Sequence, residues 1–320
     1  METAKTKETI DLVIKNIETV ILGKTQEIKL ILSAFLASGH VLLEDVPGTG
    51  KTMLAKTLAK SFDCDFSRVQ FTPDLLPSEL TGINFYNPKT GDFTFRKGSL
   101  FSNIILADEI NRATPRTQSG LLESMEEAQI TVDGTTYPLP SPYLVIATQN
   151  PIEIQGTFPL PEAQLDRFLL QLSLGYPTQE ETVQILKNFA QKEPIKEISP
   201  VCDKQLMLDL QQNMGKVYIH DDVYNYITTI ANKTRKHESI ELGISTRGII
   251  SLAKMARAYC AIDGREFVTP ADVLYLIPYI FAHRIVLKGG IRNRKDATKS
   301  ILQEIIEDTK VPVEDWKQKL

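Results

Sequence analysis

The sequence predicts an α/β fold, with a core domain built around a largely parallel sheet and a smaller all-α domain after it. Two observations predict it. Three short all-apolar runs, typical of buried parallel strands, alternate with segments of helical periodicity. From Pro177 onward the patterns are helical, so we expect a core over residues 1–177 and a helical lid over residues 178–320. The three predicted strands are residues 41–43, 104–107 and 143–147.

Composition excludes several classes of protein. The chain has 320 residues, of which 42% are hydrophobic and 24% charged, so it is neither disordered nor fibrous. Its net charge of -4 gives no overall attraction to nucleic acid. Three widely spaced cysteines form neither a disulfide framework nor a metal knuckle, which favours free thiols in a reducing compartment. Since no apolar run approaches ~18 residues, we expect a cytoplasmic protein without a membrane partner.

Helices are predicted from apolar spacing and from capping residues. Apolar side chains recur at helical spacing over residues 10–20 and 28–36, ahead of the first strand. A helix over residues 114–128 begins with Thr114 as a cap and Pro115 in the first turn. In the C-terminal part, two capping boxes mark helix starts. They are Thr178 with Glu181, and Thr269 with Asp272.

The first strand leads into a loop that predicts phosphate binding. The general pattern is glycine, four residues, then Gly-Lys-Ser/Thr between a strand and a helix. Asp45 stands where the first glycine would be, but the rest of the pattern is intact. Glycines let backbone N–H groups turn inward as an anion nest, the lysine reaches the β- and γ-phosphates, and the hydroxyl completes a Mg²⁺ shell. The predicted nucleotide-binding residues are Pro47, Gly48, Thr49, Gly50, Lys51 and Thr52.

Polar residues follow the other two predicted strands. Asp108 and Glu109 end the second strand, and in open α/β sheets this edge binds ligands. Asp108 would hold Mg²⁺, and Glu109 would polarise the attacking water. Asn150 follows the third strand and could contact the γ-phosphate or orient that water. Two plainer interpretations stay open: the acids cap the next helix, and Asn150 belongs to an Asn-Pro turn.

With these three pieces in order, the sequence resembles the AAA+ ATPases, and within them the MoxR family, a relative of the magnesium-chelatase ATPase subunit. The resemblance extends over nearly the whole chain. Its most specific stretches are residues 42–52, 71–77, 108–113 and 160–168.

The resemblance implies a role for several residues. Lys51 and Thr52 correspond to Walker A, Asp108 and Glu109 to Walker B, Asn150 to sensor 1, Arg167 to the arginine finger, Arg247 to sensor 2, and Gly23 to the adenine-contacting turn. Arg167 would act across a subunit boundary on a neighbour's γ-phosphate, and Arg247 would sense the phosphate from the lid. Two alternatives stay open: Arg167 could pair with Asp166 or Glu162, and Arg247 could be a surface residue at a helix start.

The function that the resemblance implies is Mg²⁺-dependent ATP hydrolysis by a homo-oligomer, a hexameric ring. The ring would remodel, mature or insert metal into a partner protein, often one with a von Willebrand factor A domain. Two alternatives come from other classes: a nucleic-acid motor or loader, which the acidic balance disfavours, and a low-turnover nucleotide switch, which Glu109 and Arg167 disfavour. Two predicted hairpins, over residues 83–95 and 129–137, would contact partners or merely decorate the surface.

Overall fold

A computed structural model describes residues 2–89, 91–151, 156–191, 193–289 and 294–312 of the chain. Its strands are β1 Val41–Glu44, β2 Phe66–Gln70, β3 Gly82–Asn87, β4 Asp92–Lys97, β5 Ile104–Asp108, β6 Gln129–Val132, β7 Thr135–Pro138, β8 Leu144–Gln149, β9 Leu170–Leu172, β10 Ile240–Leu242 and β11 Val286–Leu287. Its helices are α1 Glu2–Glu18, α2 Thr25–Leu36, α3 Lys51–Ser61, α4 Pro77–Thr81, α5 Pro115–Glu127, α6 Glu162–Leu165, α7 Gln179–Gln191, α8 Pro194–Glu197, α9 Lys204–Asn213, α10 Asp221–Lys236, α11 Thr246–Ile262, α12 Pro270–Phe281 and α13 Arg294–Glu307.

The central sheet has five parallel strands in the order β2-β5-β8-β1-β9. The predicted α/β class is therefore confirmed, and the three predicted strands are β1, β5 and β8, the middle of the sheet. The strands β2 and β9 were not predicted. The sequence of β2 mixes polar and apolar residues because it lies at an edge, and β9 is only three residues long.

The strand register places the ends of the three central strands side by side. Leu43 of β1 pairs with Thr148 of β8, and Ala107 of β5 pairs with Ala147 of β8. Because parallel strands end at the same edge, the residues that follow β1, β5 and β8 meet in one crevice. The three motifs singled out in the sequence lie there.

The predicted helices and caps are confirmed in most details. Both capping boxes form: Glu181 N–H donates to the Thr178 hydroxyl at 3.2 Å, and Asp272 pairs in the same way with Thr269. Thr114 is the residue before α5, but its side chain makes no capping bond to the helix backbone. Its hydroxyl instead lies 3.3 Å from the hydroxyl of Thr117.

The core and the helical part share apolar packing. Val41 and Leu43 face the side of the sheet covered by α1, α2 and α3, and the same buried cluster includes Leu252 of α11 and Phe281 of α12. Leu42 faces the opposite side, in a second cluster with residues of α5. The helices of the C-terminal part therefore pack directly on the core. The boundary at residue 177 stays a prediction.

Both predicted hairpins form, and they contact each other. The turn between β6 and β7 has Asp133 and Gly134 at φ 50° and 79°, the left-handed geometry that an Asp-Gly hairpin turn requires. The Phe95 ring of β4 stacks on Tyr137 of β7 with centroids 4.0 Å apart. Near the turn of the first hairpin, Phe93 is 73% exposed.

Within the described residues, no helix is long and apolar enough to cross a membrane. The three cysteines are free, as the sequence predicts. Burial raises the pKa of the Cys64, Cys202 and Cys260 thiols to about 12, which makes them poor nucleophiles at neutral pH.

Candidate nucleotide site

The loop after β1 has the backbone of a phosphate cradle. Gly48 and Gly50 have φ values of 85° and 87°, in the left-handed region that favours glycine. A Cβ atom built on either glycine meets nothing within 4 Å, so the space over the loop is open. Gly50 is the residue before α3, and the first N–H groups of any helix lack intrahelical acceptors. Together these features suit an anion at the start of α3.

Lys51 and Thr52 open that helix. The Lys51 ammonium folds back over the loop and donates to the carbonyls of Val46 at 2.8 Å and Asp45 at 3.2 Å. These bonds hold a positive charge above the cradle. Thr52, the second residue of α3, is half-buried.

Asp45, the departure from the general loop pattern, has a structural reason. Its buried carboxylate accepts from the Ser173 hydroxyl at 2.6 Å and from the backbone N–H groups of Leu174 at 2.7 Å and Gly175 at 3.1 Å. A glycine could make none of these bonds. Asp45 therefore anchors the start of the loop to the segment that follows β9.

The turn predicted to contact adenine reaches the same segment. Lys24 Nζ donates to the carbonyl of Tyr176 at 3.2 Å. Gly23 has φ 70°, and a Cβ there would collide with the carboxylate of Glu181 in α7. The Gly23 turn, the segment 173–176 and the phosphate loop thus form one continuous set of contacts.

The acidic end of β5 is organised by one hydroxyl. Thr148 Oγ1 donates to Asp108 Oδ1 at 2.7 Å and accepts from the backbone N–H of Glu109 at 2.8 Å. The other carboxylate oxygen of Asp108 accepts from Arg68 of β2 at 2.7 Å. Glu109 has φ 56°, a left-handed conformation that is uncommon and strained outside glycine and is concentrated at functional sites.

Two donors hold the carboxylate of Glu109. Its Oε2 accepts from Gln70 Nε2 at 2.9 Å and from Arg112 Nη1 at 3.0 Å. Asn150 is buried and follows β8, the strand between β1 and β5. The structure thus brings Lys51, Asn150 and the acid pair to one edge of the sheet.

The protein oxygens fit a magnesium ion that arrives with phosphate. No group of three or more His, Cys, Asp or Glu side chains within the described residues could hold a metal by itself. Mg²⁺ usually binds through one or two protein oxygens, waters and phosphate oxygens, so a hydroxyl and a carboxylate suffice. The residues predicted to supply those two oxygens are Thr52 and Asp108.

The two predicted arginines converge on Glu126, near the end of α5. Arg167 Nη2 lies 3.3 Å from Glu126 Oε2, and Arg247 donates to the other oxygen of the same carboxylate. The sequence left open a pairing of Arg167 with Asp166 or Glu162; the ion pair seen for Arg167 is with Glu126, and the carboxylate of Asp166 pairs with Arg284. Among the contacts of the described residues, neither Arg167 nor Arg247 reaches the phosphate loop of its own chain.

Several residues of the site were missed by sequence reasoning. They are Arg68, Gln70, Arg112, Glu126, Thr148 and Arg284. Thr148 lies directly after a predicted strand, so its place at the sheet edge was a usable signal. Arg112 lies three residues after Glu109, but its spacing alone does not predict the contact. The remaining residues carry no signal, because they lie on an unpredicted strand or on elements distant in sequence from their partners.

A parallel sheet with a phosphate loop after β1, an acid pair after β5 and an amide after β8 defines a P-loop nucleotide-binding protein. Residues 40–170 match the family described as "ATPase family associated with various cellular activities (AAA)", and residues 232–305 match the AAA lid domain. The protein YeaC of Bacillus subtilis is 48% identical over 94% of both chains. Chaperone MoxR1 of Mycobacterium tuberculosis is 36% identical over 95% of this chain and 82% of its own.

A solved structure from Cytophaga hutchinsonii superposes with a TM-score of 0.89 at 37% identity, covering 98% of this chain and 97% of the other. The chain belongs to the MoxR family of AAA+ ATPases.

Proposed function

We propose that the chain binds ATP with Mg²⁺ in the Gly48–Thr52 cradle and hydrolyses it. The observation that carries this proposal is that the loop and the acid pair both lie where the carboxyl ends of the parallel strands meet. The open glycine loop with Lys51 above it follows β1, and the Asp108–Glu109 pair ends β5, one strand beyond β8. Phosphate binding and water activation then occur in one crevice.

Each residue has a task that its position supports. Lys51 exchanges the carbonyls of Val46 and Asp45 for phosphate oxygens, and Thr52 and Asp108 would hold the magnesium ion. When bound, magnesium would supply positive charge that offsets the charge of the phosphates. Glu109, held on one oxygen by Gln70 and Arg112, accepts a proton from water, and Asn150 orients that water.

The arginines support an oligomeric active site. Arg167 and Arg247 have side chains 31% and 44% exposed and pair with Glu126 instead of the loop of their own chain. We therefore propose a homohexameric ring in which Arg167 contacts the γ-phosphate of a neighbouring subunit. An arginine in that position raises turnover by ~10³–10⁵ in related nucleotide hydrolases. Arg247, held by the same carboxylate, would face the same neighbour.

The two hairpins are the surface that we propose contacts a partner protein. Exposed apolar side chains concentrate on β3 and β4, where Tyr86 packs edge-on against Phe93. Asn84 of β3 donates to Asp133 at 2.8 Å, so the two hairpins support each other. One relative carries the name Chaperone MoxR1, and chaperones act on other proteins, which supports a partner of this kind. Remodelling, maturation or metal insertion in a partner with a von Willebrand factor A domain follows from the resemblance.

Phosphate release in the steady state tests the enzymatic proposal. We expect Mg²⁺-dependent turnover by the wild type, no ATP binding by Lys51→Ala, and ATP binding without turnover by Glu109→Gln. Arg167→Ala should bind ATP and lose turnover. Mixing Arg167→Ala with Lys51→Ala should restore part of it, because the Lys51→Ala subunits supply intact fingers. Full ATP affinity in Lys51→Ala, or unchanged kcat in Glu109→Gln, would refute the assignment.

Retention of a partner protein tests the proposal that the hairpins contact it. The Glu109→Gln chain loaded with ATP should retain its partner from a cell extract, and the same chain carrying Phe93→Ser should not. A matched chain with Tyr224→Ser, an exposed aromatic residue on α10, should behave like the parent. Equal retention by the Phe93 variant would remove the hairpin from the partner surface.

A further inference from the structure

Arg284 is a buried cation between the lid and the segment that carries Arg167. It ends the short helical turn Ala282–Arg284 after α12, and its side chain is 2% exposed. Its Nε donates to Asp166 Oδ1 at 2.7 Å, and its Nη2 donates to the carbonyls of Phe168 at 2.5 Å and Asp166 at 3.2 Å. One guanidinium thus binds the backbone on both sides of Arg167.

Asp166 has a second partner in the lid. The Ser245 hydroxyl lies 3.0 Å and 3.2 Å from the two carboxylate oxygens of Asp166, to which it donates. The same hydroxyl accepts from the N–H of Gly248 and so caps α11, the helix that carries Arg247. The residue before Arg167 is therefore bonded to the start of α11 and to the end of α12 together.

The neighbouring groups leave this cluster few ways to rearrange. His283 Nε2 lies 3.1 Å from the carbonyl of Phe168, which already accepts from Arg284. Burial lowers the pKa of Arg284 to about 10, so the guanidinium stays charged at neutral pH opposite Asp166. A buried arginine fork satisfied by a carboxylate and several carbonyls fixes both distance and orientation.

We propose that Asp166 and Arg284 are positioning residues for Arg167: they join the lid to the finger segment, so that a lid movement displaces the guanidinium offered to the next subunit. This inference rests on the proposed function, in which Arg167 acts on a neighbour's nucleotide. A purely structural pair would stabilise the chain without any specific effect on that step. A positioning role and a purely structural role predict different effects of changing Asp166 when Arg167 is already absent.

The test compares Asp166→Asn, alone and combined with Arg167→Ala, in the full-length protein. The asparagine keeps the size of the side chain and one acceptor oxygen but removes the charge that faces Arg284. We expect kcat to fall about tenfold or more while the ATP dissociation constant of each subunit stays within about twofold. In the Arg167→Ala background, the residual hydrolysis rate, followed in single turnovers with protein in excess of ATP, should fall no further, because residues that act through one another are not additive.

A matched control comes from the same domain. Arg265 forms a two-bond pair with the buried carboxylate of Asp272, at 2.6 Å and 2.8 Å, at the start of α12. Asp272→Asn should change the unfolding midpoint and leave kcat within about twofold of the wild type. A similar loss of kcat in this control would assign the Asp166 effect to general destabilisation and overturn the inference.

Subunit mixing gives a second readout. Asp166→Asn subunits have intact loops, and Lys51→Ala subunits have intact fingers, so the mixture should turn over faster than the two proteins measured separately. No gain on mixing, unchanged kcat in Asp166→Asn, or a further loss in the Arg167→Ala background would each refute the inference. Should Asp166→Asn not fold, Arg284→Lys, which keeps the charge, is subject to the same criteria. Absence of wild-type turnover would instead contradict the proposed function.

Discussion

The side-chain amide of Gln70 donates to the carboxylate of Glu109 at 2.9 Å. Gln70 ends β2, at the edge of the sheet, and Glu109 follows β5 beside it. Arg112 supplies a second donor to the same oxygen. The candidate base is therefore held by two donors on one carboxylate oxygen, on the β2 side of the site.

Removing one of these donors should release Glu109. We expect Gln70→Leu to raise basal kcat by up to about tenfold, the equivalent of one hydrogen bond of ~0.5–1.5 kcal/mol. The ATP dissociation constant is measured in parallel, because Gln70 Oε1 also accepts from Arg68, the residue that pairs with Asp108. Steady-state phosphate release with saturating ATP measures the effect. Gln129→Leu, which removes an exposed amide that donates to Glu127, is the matched control. A fall in kcat would mean that Gln70 positions Glu109 for catalysis.

The contact also shows where sequence reasoning ends. The glycine loop, the acid pair and Asn150 were predictable because each follows a strand that an all-apolar run identifies. Gln70 was not, since Phe66–Gln70 has no such run, and its place beside Asp108 depends on strand order. Sequence spacing does not predict the contact of Arg284 with Asp166 either, because 118 residues separate them in the chain. Local patterns identify the elements, whereas contacts between distant elements depend on the packing of the whole chain.

Asp45 gives a prediction that runs against the general loop pattern. Asp45→Gly restores the first glycine of that pattern, but it leaves the buried N–H of Leu174 and the half-buried N–H of Gly175 without their acceptor. Each buried donor left unpaired costs ~1–3 kcal/mol. We expect a lower free energy of unfolding in urea and weaker ATP binding, because the loop loses its anchor to the segment after β9.

Asp45→Asn removes only part of the anchor that Asp45→Gly removes. Its amide oxygen can still accept from one N–H group, so we expect a smaller loss of stability than in Asp45→Gly. Equal or greater stability of the Asp45→Gly chain would show that the three bonds to Asp45 are not needed to hold the loop.

Glu126 gives a third prediction, because its carboxylate joins Arg167 to Arg247. Without it, two like charges repel each other and both long side chains regain rotamer freedom. We expect Glu126→Ala to reduce kcat by about tenfold, which corresponds to ~1.4 kcal/mol, with unchanged ATP affinity for the isolated subunit. Glu123→Ala removes an exposed carboxylate one turn earlier on α5 and serves as the control. Faster turnover in Glu126→Ala would instead identify the carboxylate as a restraint on the arginines.

His40 gives a prediction about pH. Its ring is buried between α5 and β8, where it lies 2.9 Å from the carbonyl of Met125 and accepts from the N–H of Val145 at 3.1 Å. Burial lowers the pKa of His40 from 6.5 to about 4. Below pH 6.5 the unfolded chain therefore binds a proton that the folded chain does not, and folding loses stability as the pH falls. Between pH 7 and pH 5 this loss amounts to ~2 kcal/mol.

Urea unfolding of the wild type and His40→Gln at pH 7, 6 and 5 measures this contribution. At pH 7 the variant should be less stable than the wild type, because it lacks the packed ring. The difference in free energy of unfolding between the two proteins should shrink by ~2 kcal/mol between pH 7 and pH 5, since glutamine takes up no proton. His237→Gln, at the end of α10, controls for the removal of a histidine as such. If the difference in free energy of unfolding between the two proteins stays constant from pH 7 to pH 5, His40 does not titrate differently in the folded and unfolded chains.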